Sequence, residues 1–281
     1  MNPTIQPEPT VGTETSARLS PVPIRNSVRR QNRVAAALAC GLAAGLLGAL
    51  EARAQNGEPL ANEYRLTLFP YHRISEELTG FGYLGYVNNP DKDYQTGYLG
   101  YGANYSLSES VQLWGGLIGT FTDNEHSADK LELRPFIGPK LFLPNDWKWN
   151  LYNFTRYEHR SIQDLDTHDW TGIHRLRSRF GVELPLTSRE KAWQPKTWYG
   201  LADVEPIYRF DHHTIDPLYA RGGLGYVLSD RIRLELVYSA QFSRSNQGSL
   251  QYADNILQLN IKLGLGEGIL QRVFSGANAY D

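Results

Sequence analysis

Sulfur is nearly absent from this sequence: it has one cysteine, Cys40, and one methionine, Met1, in 281 residues. Both fall within the first 54 positions. The rest of the chain therefore has no disulfide framework, cysteine-ligated zinc, thiol nucleophile or iron–sulfur cluster. A charge excess of one sign is also missing. With 28 Lys+Arg against 30 Asp+Glu the formal net charge is −2, which lacks the basic surplus of a nucleic-acid binder. His-x-x-Glu-His spacing, Cys/His clusters, phosphate-cradling glycine loops and a Gly-x-Ser-x-Gly elbow are absent as well. No cofactor, metal or catalytic residue is assigned on these grounds.

One long uncharged run exists, Val34 to Leu50. Arg29, Arg30 and Arg33 precede it and Ala52-Arg53-Ala54 ends it. A positive start, an apolar middle and a small-x-small end describe a secretory signal. The expected organisation is a signal peptide with an N-terminal extension over 1–54, a short periplasmic linker over 55–62, a β domain over 63–265 and a tail over 266–281. A retained anchor is the alternative, but 17 Ala/Gly-heavy residues sit at the short limit for a spanning helix.

From about Gln95 onward, hydrophobicity alternates with period two, as in strands whose two faces meet different surroundings. In Lys130–Leu143 the odd positions are Leu131, Leu133, Pro135, Ile137, Pro139, Leu141 and Leu143, while Glu132, Arg134 and Lys140 share the other face with Phe136 and Phe142. In Arg231–Ser243, Ile232, Leu234, Leu236, Tyr238, Ala240 and Phe242 oppose Arg233, Glu235, Ser239 and Gln241. Strands are predicted near 96–106, 110–122, 130–143, 147–160, 169–185, 197–211, 216–228, 231–243 and 251–264. Short connections alternate with longer polar ones, apart from the long 187–196, which suits an outer-membrane barrel. With both termini on the short-turn side, these nine need an odd number of strands before them. Tyr64–Asn88 supplies one, making ten, or three, making twelve; Tyr64–Arg73 and Gly80–Val87 within it are both strand-like. The expected fold is an all-β, closed, antiparallel transmembrane β-barrel.

Alternation alone does not separate a membrane barrel from a soluble one turned inside out. Three features favour the membrane. The polar face is rich in Arg, which is 15 of the 22 basic residues beyond position 54, and its planar fork suits paired carboxylates in a confined space. Aromatics such as Trp147, Trp149, Tyr157, Trp170, Tyr208, Phe210, Tyr238 and Phe242 lie near strand ends, as in interfacial girdles. The strands exceed the length that crosses a tilted bilayer path.

Four segments then carry a family resemblance: Trp149-Asn150-Leu151-Tyr152-Asn153-Phe154-Thr155-Arg156-Tyr157-Glu158-His159-Arg160, His174 through Gly181, Val204-Glu205-Pro206, and Arg233 through Tyr238. With them, Lys130 to Gly264 resembles a family of bacterial outer-membrane barrels recorded as a domain of unknown function. The resemblance implies fold and location, and no activity. Barrels of this type commonly end on an aromatic, whereas here Gly266–Asp281 continues past the last strand.

With the apolar face outward, the lumen is expected to hold a charge network of Glu132, Arg134, Arg156, Glu158, Arg160, Arg175, Arg177, Arg179, Glu183, Asp203, Glu205, Arg209, Arg221, Arg233 and Glu235, with Lys140, Asp254 and Lys262 beside them. Folding the hairpin about residue 191 sets Arg177 opposite Glu205 and Arg179 opposite Asp203. Such a network is a structural filling or lines a narrow solute passage, where an Arg excess favours small anions. Outer-membrane lipid, lipopolysaccharide and the barrel assembly machinery are the expected partners. The alternatives are a barrel enzyme acting on lipid or lipopolysaccharide and a soluble periplasmic ligand-binding barrel. For the enzyme, the candidate groups are His212 and His213 beside Asp211, His159 near Glu158, and Asp166 with His168.

Overall fold

A computed structural model describes residues 61–145, 148–187, 191–244 and 248–275. The signal segment 1–54, most of the linker, Trp147 and the end of the tail lie outside the described residues. The strands are β1 (Ala61–Arg73), β2 (Leu78–Asn89), β3 (Tyr94–Ser108), β4 (Val111–Asn124), β5 (Lys130–Leu143), β6 (Asn150–Asp164), β7 (Trp170–Pro185), β8 (Thr197–Arg209), β9 (Thr214–Ser229), β10 (Ile232–Arg244) and β11 (Leu250–Gly264), followed by helix α1 (Ile269–Ser275). All eleven strands close into one barrel, each pairing with its sequence neighbours. Among the described residues no helix is long and apolar enough to cross a membrane.

Eleven strands correct the expected ten or twelve. Tyr64–Asn88 gives two strands because the chain reverses at Ile74–Glu77. There the Ser75 hydroxyl accepts from the backbone N–H of Glu77 at 3.3 Å and of Leu78 at 3.1 Å. A serine side chain closing its own turn needs no glycine or proline to mark it. The odd count is resolved at the seam, where β1 runs parallel to β11 from Ala61 opposite Asp254 to Tyr71 opposite Gly264. A parallel ladder satisfies the backbone as fully as an antiparallel one, at slightly lower stability per residue. The termini of the sheet consequently lie at opposite ends. β1 starts at the end carrying loops 90–93, 125–129, 165–169, 210–213 and 245–249, the loop end, while β11 finishes at the turn end with α1. The expectation that both termini share the turn end is corrected accordingly.

Side-chain parity does the rest. Leu99 is 67 % exposed, Leu236 54 % and Leu259 40 %, whereas Glu158 is 0 % and Arg233 1 % exposed. The barrel is thus apolar outside and charged inside. Neighbouring strands pack closely where an inward ring lies over an opposed glycine. A Cβ on Gly225 would fall 2.1 Å from the Tyr199 ring, and one on Gly85 2.2 Å from that of Tyr98; both glycines sit directly opposite those tyrosines in register. Only glycine leaves the ring its place.

The turn end is filled. Helix α1 turns back onto the barrel, and Ile269, Leu270, Val273 and Phe274 join Tyr71, Phe81, Trp114, Phe136 and Phe154 in one buried cluster. Trp193, from the connection between β7 and β8, packs with Tyr199, Leu201, Val227 and Val237 in a second.

Candidate functional site

The charged lumen is built from strand alternation: each strand sends every second side chain inward, so ionic groups on adjacent strands meet at cross-strand distance. Toward the loop end, Glu132 holds Arg134 Nε and Arg160 Nη2, both at 2.6 Å. Glu158 accepts from Arg156 Nε at 2.6 Å and Arg175 Nε at 2.5 Å, with Arg177 at 3.5 Å. Glu205 takes Arg177 Nη2 at 2.8 Å, Arg179 Nη2 at 3.2 Å and Arg221 Nη2. Asp203 takes Arg221 Nε at 2.6 Å and Arg179 at 3.9 Å. Seven guanidinium groups thereby share four carboxylates. Burying charges this deeply is tolerable only because each carboxylate is engaged by more than one donor.

Toward the turn end the materials change. Lys140 has its ammonium 4.6 Å from the Phe142 ring centroid, 4.9 Å from Tyr152 and 5.3 Å from Phe274. Phe274 also lies under Lys262 at 4.1 Å and Arg233 at 5.5 Å. One ring of α1 therefore sits among three cations, an arrangement favoured by its quadrupole. Tyr71 meets the same ring edge-on at 5.2 Å. Glu235 accepts from Tyr199 Oη at 2.8 Å and pairs with Lys262. Glu183 accepts from Asn150 at 3.0 Å.

Among the described residues, a loop-end and a turn-end cavity lie in the lumen. The loop-end chamber, about 380 Å³, is lined by Arg65, Arg134, Arg156, Arg160, Arg177, Arg179 and Arg221 but by only two carboxylates, Glu63 and Glu132. The turn-end chamber, about 210 Å³, is lined by Lys140, Glu183, Glu235, Lys262, Phe274 and their neighbours. Phe69, Tyr83, Arg156, Arg179, Arg221 and Gln258 border both and form the waist between them.

Of the residues expected inside, Arg209 and Asp254 meet loop partners: Arg209 gives Asp211 a bidentate contact at 3.1 and 2.6 Å, and Asp254 takes Lys92 Nζ at 2.5 Å. The Arg209 guanidinium holds the Asp211 carboxyl below its ordinary range. The hairpin register is shifted by two residues from the expected one. Arg177 lies opposite Ile207 and Gly181 opposite Asp203, so the Arg177–Glu205 and Arg179–Asp203 contacts are diagonal. The reason is that the connection pivots at residue 192 rather than 191. Among the histidine candidates, His212 lies 3.5 Å from Asp211, whose carboxylate is taken by Arg209. His159 and Glu158, being consecutive, face opposite sides of the sheet, which separates that pair. The Asp164 carboxylate, rather than His168, meets the backbone N–H of Asp166, at 3.0 Å.

Sequence reasoning missed the helix and the rings that receive it. Ile269, Leu270, Val273 and Phe274 carry a helical apolar stripe, and Phe136 and Phe142 sit on the otherwise charged face of β5; those were the available signals. It also missed polar residues standing on the apolar face of β6 and β7.

A closed barrel, greasy outside and ionic within, capped at one end by its own helix, defines the class of protein. A comparison with protein families matches residues 71–252 to the family described as "Protein of unknown function (DUF2490)". The chain belongs to that family. No curated protein matches the chain.

Proposed function

We propose that this chain is an outer-membrane β-barrel whose lumen is an occluded solute site, favouring small anions, entered from the loop end and closed at the turn end by α1. The carrying observation is the sidedness of the wall, apolar residues out and paired charges in. A large contiguous apolar surface is rare on a protein bathed in water. In hydrocarbon, a closed barrel is the one sheet whose backbone groups are all satisfied. Export through a cleaved N-terminal signal, assembly by the barrel machinery, and contact with lipid and lipopolysaccharide follow from that setting. The seven arginines of the loop-end chamber outnumber its lining carboxylates, which supports an anionic rather than a cationic guest. A volume of about 380 Å³ is at the small end of ligand sites.

Planar-bilayer recording of purified protein tests this reading. The full chain should show no steady conductance, and removal of 266–281 should produce resolved steps that select anions over cations. A wide pore in the full chain contradicts the occlusion. A shortened chain that remains silent leaves the barrel a structural role. Release from membranes by a carbonate wash without detergent contradicts the setting.

A further inference from the structure

On the outer wall of β6 and β7 the apolar alternation breaks: Asn153, Thr155 and Ser178 bond to one another nearer the turn end, and a second polar group lies near the loop end. Tyr157, His159 and Ser161 of β6, with His174 of β7, make up that second group on outward-facing positions. They form a chain of contacts: Ser161 Oγ to His159 Nε2 at 3.1 Å, His159 Nδ1 to His174 Nδ1 at 3.2 Å, and Tyr157 Oη to His174 Nδ1 at 2.5 Å. A hydroxyl, an imidazole bonded to it, and a third group holding the far nitrogen of that imidazole make up the constellation of an activated nucleophile, which is recognised by geometry and not by sequence order.

We propose that Ser161, His159 and His174 form an acyl-hydrolase site on the barrel wall, acting on ester-linked lipid at the membrane surface. The His174 ring carries its proton on Nε2, and the single lone pair of its Nδ1, beside the Tyr157 hydroxyl, is the acceptor for His159. His159 then donates its Nδ1–H to His174 and presents the lone pair of Nε2 to Ser161. Ser161 Oγ adds to the ester carbonyl carbon while its proton passes to His159 Nε2. Collapse of the adduct breaks the bond to the alcohol, which leaves with that proton. Water then attacks the acyl-serine, releasing a fatty acid and restoring the hydroxyl. Ser161 and His159 are the catalytic residues; His174 is a positioning residue.

Two features of the wall fit this use. Gly172 lies directly opposite Ser161, and a Cβ there would stand 3.2 Å from Cε1 of His159. Glycine thus clears the approach to the hydroxyl and leaves room for the imidazole. The site also lies close to the loop end, since β6 finishes at Asp164 and β7 begins at Trp170. That depth is where ester linkages of a lipid meet water. The lipid substrate rests on the membrane reading above; the hydrolytic chemistry does not.

The test uses the full chain in detergent micelles, with p-nitrophenyl octanoate as substrate and a fluorophosphonate as covalent probe. We expect ester turnover that Ser161→Ala and His159→Asn each lower by on the order of 100-fold or more, and a probe adduct on Ser161 located by mass spectrometry. His174→Asn should lower kcat while leaving KM unchanged, which a merely structural role would not do. Phosphatidylethanolamine vesicles should yield free fatty acid. Turnover equal in the full chain and in Ser161→Ala, or no adduct on Ser161 of the unmodified chain, overturns the site. Hydrolysis of the soluble ester without fatty acid from vesicles overturns the lipid substrate. A barrel that partitions with membranes yet fails both ester assays leaves the membrane reading standing and removes this one.

Discussion

At the loop end the lumen is held by guanidinium–carboxylate pairs around a chamber of about 380 Å³; at the turn end, rings and a helix close it down to about 210 Å³. Both halves come from the same strand alternation, and they differ in what fails when a side chain is lost. An ionic wall has little value apart from its matching, since an unpartnered buried charge costs more than the pair gained. An aromatic wall degrades locally, because rings and cations contact several neighbours weakly. The comparison teaches that the loop half is suited to a charged guest and the turn half to a stopper.

The sharpest way to break this contrast is to remove a carboxylate shared by three guanidinium groups. Glu158→Leu strands Arg156, Arg175 and part of Arg177 in a buried wall. It should cost about 3–5 kcal/mol, read as a lowered thermal unfolding midpoint in detergent. Stability equal to that of the unaltered chain would mean the ionic wall is passive filling. At the turn end, Phe274→Ala should cost about 2–3 kcal/mol, confined to the stopper. Hydrogen exchange should show the amides of α1 losing protection while those of β5 and β6 keep theirs. Uniform loss would make α1 part of one cooperative unit with the wall. A smaller effect sharpens the seam. In a Cys40→Ser background, Leu66→Cys with Leu259→Cys should oxidise to a cross-link, because these residues are partners in the parallel β1–β11 ladder. The same experiment with Leu66→Cys and Leu236→Cys should give none.

Much of the wall was legible in the sequence and little of the stopper. Side-chain parity is a local property, so Leu131 through Leu143 announce an outer face and Glu132, Arg134 and Lys140 an inner one without knowledge of their neighbours. Strand ends such as those of β5 and β7 follow from the same pattern. Register is less local, and moving one hairpin pivot by a single residue shifted Arg177 from Glu205 to Ile207. The strand count failed at the seam: Tyr64–Arg73 and Gly80–Val87 both read as strands, but parity with both termini at one end allowed only one or three, and the parallel β1–β11 pairing removes that rule. The place of Phe274 is set by Lys140, Arg233 and Lys262 from three separate strands, and no pattern within α1 could name them. The outer-wall cluster was overlooked because His159 drew attention toward Glu158, its sequence neighbour, and away from Ser161 and His174, with which it shares a face.

Sidedness of the wall in a bilayer tests the account most directly. Leu117, which is 49 % exposed on the outer face of β4, and Thr120, which lines the loop-end chamber, would each be replaced by cysteine, in separate proteins, and spin-labelled in lipid vesicles. The account predicts that the Leu117 label collides with oxygen dissolved in lipid and is shielded from a water-soluble nickel complex, with the Thr120 label showing the reverse. Equal access of the nickel complex to both labels would contradict it.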